Sequence, residues 1–315
     1  MLAKVGQQLI RGFFMGMADI VPGVSGGTVA LVFGIYERLL EAVRTGAGAL
    51  GRLVKGDLSG FVDRLKAVDW LFLIPLLAGI LAAIVALSSL IERLLHDRPE
   101  EMAGLFFGLV VASILVAWRL LENRDVVRLG LLVAMGIVTF VLLGFQSGPA
   151  LDPPLLAFLG AGAIAICAMI LPGVSGSFLL LMMGMYSALL TAVHNREITT
   201  LIVFMIGATI GLALFSTLLS WLLDNYRDSV LAVLIGLMLG SLRVLWPWPH
   251  GVGVVNEVEH SSESGDEIVE LEVISGTGIE WPSMSDFWLP TLLAVVAFIV
   301  VVGVSQIAER REHTA

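Results

Sequence analysis

The sequence predicts an all-α polytopic membrane protein made of two related halves. Three observations carry this. Hydrophobic residues make up 57% of the 315 residues and charged residues 14%, with a mean hydropathy of +0.95; a soluble domain is nearer half apolar and one quarter charged. Several apolar runs reach the ~20 residues that a bilayer-crossing helix needs. And one segment occurs twice: residues 18–36 read ADIVPGVSGGTVALVFGIY, and residues 168–186 read AMILPGVSGSFLLLMMGMY. Pro22, Gly23, Val24, Ser25, Gly26, Gly34 and Tyr36 recur as Pro172, Gly173, Val174, Ser175, Gly176, Gly184 and Tyr186.

Each copy sets proline, glycines and a serine inside an apolar run. In lipid every backbone N–H and C=O must find a partner within the protein, so such a break is either buried in protein or lines a wet cavity. Matched breaks in two halves are the pattern of a transporter whose binding site lies near the membrane midplane.

Taken in order, the first broken segment covers residues 5–40 and is followed by a linker over 41–69. Spans are expected at 70–91, 102–120 and 127–146, which completes a first repeat over 1–150. The second repeat, 151–315, has its broken segment at 154–193, spans at 199–223, 229–246 and 288–307, and a loop at 247–287. Each broken segment is either a re-entrant pair of half-helices or two full spans. Both return the chain to the side it came from, and the longer apolar flanks of the second copy favour full spans there. The repeat extends past the motif: Gly108, Leu109, Ser113, Val116 and Trp118 match Gly236, Leu237, Ser241, Val244 and Trp246. A broken segment plus three spans is an odd number of crossings, so the halves are expected to be inverted relative to each other.

Basic residues give the orientation. With the N-terminus inside, the inner segments collect most of the 18 Lys and Arg, and the outer loops hold only Arg93, Arg98 and Arg196. Both termini and the 41–69 linker are then cytoplasmic. Residues 247–287 contain no Lys or Arg and nine Asp or Glu. Alternation at 252–258 and 268–274 around HSSESGDE suggests a small outside acidic β-hairpin-like loop, its acidity being solvation rather than a metal site. No cleavable signal peptide is expected, because Gln7, Gln8 and Arg11 interrupt the first apolar stretch. The single cysteine, Cys167, excludes an internal disulfide.

After each proline the chain reads G-V-S-G-G-T or G-V-S-G-S and then resumes an apolar helix. Gly23, Ser25, Gly26, Gly27 and Thr28, with Gly173, Ser175, Gly176 and Ser177, are the candidate substrate-binding residues. The serines cap the helix, and the glycines leave backbone N–H groups open to an anion. Asp19 corresponds to Met169 in the second copy, so its charge belongs to one half only. It is a candidate site for a coupling proton or Na+, or else a cap or salt-bridge partner. Glu37 is the second coupling candidate. Arg243 falls within an expected span, and its repeat mate is Leu115. It reads either as a fixed positive charge for a phosphate or as an arginine neutralising a carboxylate near a helix end. No cofactor and no metal are expected. The five histidines, His96, His194, His250, His260 and His313, all lie in loops or the tail, away from any nucleophile, which argues against an enzyme.

The motif G-x-A-D-I-V-P-G-V-S-G-G-T at Gly16–Thr28, G-I-Y-E at Gly34–Glu37, and P-G-V-S-G-S at Pro172–Ser177 with G-x-Y at Gly184–Tyr186 resemble the polyprenyl-phosphate translocase family. The resemblance runs over most of the chain. It implies transport of undecaprenyl phosphate, the lipid carrier of bacterial envelope polymers, back to the inner leaflet of the cytoplasmic membrane, as in peptidoglycan recycling. The implied partner is that lipid, with no nucleic acid. A carrier of a small soluble anion is the alternative, and a membrane-embedded lipid phosphatase is less favoured. The acidic loop matches no motif of the family.

Overall fold

The structure, a computed structural model, describes residues 2–21, 24–145, 153–248, 254–261, 268–275, 279–283 and 286–313. The first half supplies α1 (Leu2–Asp19), α2 (Gly26–Val32), α3 (Tyr36–Val54), α4 (Leu58–Ala67), α5 (Trp70–Asp97), α6 (Pro99–Leu120) and α7 (Val126–Leu142). The second supplies α8 (Leu155–Ile170), α9 (Gly176–Met182), α10 (Met185–His194), α11 (Ile198–Ser241) and α12 (Trp288–His313). Between α11 and α12, strands β1 (Val254–Ser261) and β2 (Ile268–Ser275) pair antiparallel, with Val254 opposite Ser275 and Ser261 opposite Ile268. The turn expected between these strands lies outside the described residues.

Among the described residues, four helices are long and apolar enough to cross a membrane: α5, α6, α11 and residues Trp288–Gln306 of α12. α7 and α8 are apolar but shorter, with 17 and 16 residues. α2 and α9 have seven residues each, a rise of about 10 Å at ~1.5 Å per residue, so neither crosses a bilayer. Each broken segment is therefore a long helix, a break, a short helix and a second bend. That second bend turns on Gly34 (φ 66°) and Gly184 (φ 69°) at matched positions, where only glycine takes a left-handed backbone without strain. In the second copy α9 and α10 meet at 107°.

The two spans expected at 199–223 and 229–246 are the arms of α11 on either side of Tyr226, which leaves the helical region (φ −139°, ψ 41°). Arg98, at the matching position of the first half, has φ −141° and ψ 53° and separates α5 from α6. Both halves thus turn between their long spans on a single residue.

Glycines set the helix pairing. A side chain on Gly79 of α5 would run into the Leu9 carbonyl of α1, and one on Gly207 of α11 into the Leu159 carbonyl of α8. Gly12 meets the Leu76 carbonyl, and Gly162 the Phe204 carbonyl. The same close backbone contacts occur at matched positions, as small residues permit where lipid supplies no hydrophobic drive. α6 packs along α12, through Gly104 and Gly108, and α7 along the second arm of α11, through Gly236 and Gly240.

Two expectations need correction. The span expected to reach residue 146 ends at Leu142, with Gly144 just beyond. Arg243 does not lie within a helix: α11 ends at Ser241 and the chain turns through 242–245. The apolar run V-L-W-P-W-P continues past the helix, but its prolines bar the residues before them from helical geometry.

Candidate functional site

The two breaks meet. Pro172 follows α8 closely, so the last carbonyls of α8 have no partner within the helix. The first broken segment supplies partners. Ser25 Oγ donates to the Met169 carbonyl at 3.0 Å, and the Tyr36 hydroxyl donates to the Ile170 carbonyl at 3.1 Å. The Gly173 N–H donates to Thr28 Oγ1 at 2.8 Å. Gly27 allows this approach, since a Cβ there would lie 2.7 Å from the Ile170 carbonyl oxygen.

Both serines cap the helices that follow them. Ser25 Oγ accepts from Gly27 N–H at 3.1 Å, and Ser175 Oγ from Phe178 N–H at 3.4 Å. Ser175 and Ser177 share a hydrogen bond of 2.9 Å between their hydroxyls. The halves differ at the helix start itself. In the first, Asp19 Oδ1 accepts the Gly26 N–H at 2.6 Å. A carboxylate thus occupies the N-terminus of α2, where the dipole and free donors favour negative charge. In the second, Met169 stands in that place.

Between the breaks lies a cavity of about 90 Å³, lined by Asp19, Val24, Ser25, Met169, Val174, Ser175, Gly176 and Ser177. Asp19 is the one charged side chain of this lining. Of the residues expected to bind substrate, Ser25, Ser175, Gly176 and Ser177 line the cavity. Gly26 and Gly27 sit behind it against Asp19 and Ile170. Thr28 is fully buried and engaged with Gly173. Gly23 lies outside the described residues.

The structure does not bring Glu37 or Arg243 to this cavity. Glu37 opens α3 and pairs with Arg227 at 3.0 Å on an exposed surface. Arg243 Nη1 donates to the Phe140 carbonyl at 3.1 Å, and its guanidinium lies over the Phe140 ring at 4.7 Å. It satisfies a carbonyl in the last turn of α7. Sequence reasoning noted Tyr36 as a repeated residue but not its reach to Ile170. No local signal identifies that bond, because it joins positions 134 residues apart.

The description "undecaprenyl phosphate translocase-like" matches residues 15–263, which span both breaks. The chain belongs to that family. It is 37% identical over 310 residues to a protein of Vibrio cholerae serotype O1 named polyprenyl-phosphate transporter, covering 96% of each chain. It is 27% identical over 256 residues to a Staphylococcus aureus protein of the same name, covering 76% of this chain and 85% of that one. No solved structure matches the chain. With several apolar helices and relatives named as transporters, the chain is a multi-pass membrane transporter and not an enzyme.

Proposed function

We propose that this transporter carries undecaprenyl phosphate, or a closely related polyprenyl phosphate, across the bacterial cytoplasmic membrane, returning it to the inner leaflet. The observation that carries the reading is the small cavity between the two breaks, with Asp19, Ser25, Ser175 and Ser177 in its lining, in a chain whose relatives are named for polyprenyl phosphate. The phosphate is received by Ser25, Ser175 and Ser177 and by the backbone of Gly176. The tail stays in apolar surroundings.

Asp19 gives the coupling its logic. A phosphate and a carboxylate in one small cavity repel strongly, because a low-dielectric site screens them little. Uptake of phosphate therefore goes with uptake of a proton or Na+ at Asp19. Glu37, ion-paired and exposed, is the weaker coupling candidate. Arg243 acts away from the cavity, as a positive charge near the end of α7 that attracts an arriving head group.

The halves, 1–150 and 151–315, are read as an inverted repeat with re-entrant breaks, working by alternating access. Support comes from the recurrence of the Gly79–Leu9 contact as Gly207–Leu159, and of the Arg98 turn at Tyr226. Both termini are placed inside and the acidic loop outside on the distribution of basic residues. In a Cys167-free background, a membrane-impermeant thiol reagent added from outside should label Ser262→Cys and spare Leu58→Cys. The reverse pattern defeats the orientation and the inversion together.

The function itself is tested with purified protein in liposomes carrying fluorescent undecaprenyl phosphate. Protein should speed the exchange of the phosphate head between leaflets, and unlabelled undecaprenyl phosphate should compete. Competition by inorganic phosphate alone, with no exchange of the lipid, would favour the soluble-anion alternative.

A further inference from the structure

Beside the head-group cavity runs a second, apolar depression of about 380 Å³. Its walls come from the end of α7 (Leu142, Leu143), one face of α8 (Ile164, Cys167), and Leu237 of α11. Val174 belongs to both linings: it is the valine of the second P-G-V-S-G, with one side on the polar cavity and the other on the groove. The floor is buried, with Leu143 at 5% and Leu237 at 7% exposure, while the rim residues Leu142 and Ile164 are 55% and 45% exposed. The groove therefore opens sideways, toward where lipid lies.

We propose that this groove seats the isoprene units next to the phosphate. The inference rests on the function proposed above and deepens it by assigning a site to the tail. Three points select this occupant. The groove adjoins a cavity sized for one small polar head, with Val174 as their shared wall, so a molecule with a polar end and an apolar chain places its two ends side by side there. Its volume is at the lower end of ligand sites, ~300–1,000 Å³, so it takes only the first part of a long prenyl chain and leaves the rest in the bilayer. A second apolar depression, along Ile198–Ile210 of α11, is lined by that one helix and includes no residue of the polar cavity.

The groove's contribution is selection rather than bulk affinity. Bilayer lipid is as apolar as leucine, so moving a chain from lipid into the groove gains little. Shape is what differs. A prenyl chain carries regularly spaced methyl branches and double bonds, and an acyl chain does not. The head-group cavity meets a phosphate monoester, which phosphatidic acid also offers. Val174 and its neighbours then separate the two lipids by the units beside that phosphate. In the proposed orientation the groove lies in the outer half of the membrane, the leaflet from which the lipid is collected.

The test uses the intact protein in nanodiscs with a polyprenyl phosphate bearing a photoreactive diazirine on its first isoprene unit. Mass spectrometry should place the label on residues 139–143 and 163–171. Unlabelled polyprenyl phosphate should displace it and phosphatidic acid should not. Ala163→Trp, which fills the groove, should lower competable labelling about tenfold, the scale of a misfit in an apolar pocket. Ile202→Trp in the other depression should leave labelling unchanged. Label on residues 198–210, or label that phosphatidic acid displaces equally well, overturns the groove while lipid exchange in liposomes still stands. Loss of both labelling and exchange in the wild-type protein overturns the groove together with the function beneath it.

Discussion

The two broken segments share P-G-V-S-G and a left-handed glycine at the second bend, yet they complete themselves differently. The first is closed from within: Asp19 accepts the Gly26 N–H and Ser25 accepts the Gly27 N–H. The second borrows, and its stray carbonyls at Met169 and Ile170 and its Gly173 N–H are met by Ser25, Tyr36 and Thr28 of the first. The matched breaks thus share a left-handed glycine but differ in side chains, so that the first half lends hydrogen-bond partners and the second borrows them. The charge, Asp19, sits on the lending half.

The comparison is broken most severely at the paired glycines. A Cβ on Gly176 would lie 2.5 Å from the Ala165 backbone oxygen, whereas on Gly26 it would lie 2.5 Å from Oδ2 of the Asp19 side chain. A backbone cannot yield as a carboxylate can. Gly176→Val should therefore cost about 3 kcal/mol or more and remove folded protein. Gly26→Val should cost about 1–2 kcal/mol, the loss of one buried hydrogen bond, and impair transport in protein that still folds. Detergent-stable yield by size-exclusion chromatography, alongside liposome exchange, separates the two outcomes.

Making the halves alike in charge comes next. Met169→Asp adds a second carboxylate at the cavity. It should weaken binding of polyprenyl phosphate roughly 30-fold, as expected for like charges several ångströms apart at an effective dielectric of ~20. Asp19→Asn removes the only one; its amide oxygen still accepts from Gly26, so folding and binding should persist. Exchange rates measured across pH and Na+ concentration should then lose the dependence that the wild-type protein has. A variant with the wild-type profile would move the coupling elsewhere, with Glu37 next to be examined.

The borrowed bonds give a smaller effect. Tyr36→Phe leaves the Ile170 carbonyl unpaired and should lower stability by about 1–2 kcal/mol, read as a lower unfolding midpoint in detergent. If stability is unchanged, the second break is not held by the first. Smallest is Arg243→Ala. Because the arginine lies on Phe140 and not in the cavity, capture of lipid should slow about threefold, with weaker salt dependence, while the final affinity stays close to wild type. A large loss of affinity would bring Arg243 back into the binding site.

Much of this was legible in the sequence. The apolar runs gave the long helices, and the doubled motif marked where the helices break. Ser25 and Ser175 read correctly as caps, because a cap is a local arrangement of backbone and hydroxyl. Arg243 was placed within a helix because hydropathy follows side chains and stays high through Val244–Trp246, past the end of α11 at Ser241. The Asp19–Gly26 bond crosses a break, so no helical spacing predicts it. The close contacts of Gly79 with Leu9, and of Gly207 with Leu159, are visible only once two helices lie side by side.

The asymmetry between the lending and the borrowing break also bears on how the chain is made. Synthesis delivers the first break before the second exists. That first break carries its own cap in Asp19 and Ser25, so its N–H groups at Gly26 and Gly27 need not wait in lipid for a partner. By the time α8 is made, its partners Ser25 and Tyr36 have already been synthesised. In the opposite order, the borrowing break would stand in the membrane with unmet polar groups, each costing several kcal/mol. The order of the two halves along the gene is then itself a folding instruction. Residues 1–150 expressed alone should resist protease in membranes, and residues 151–315 should do so only when the first half is supplied with them.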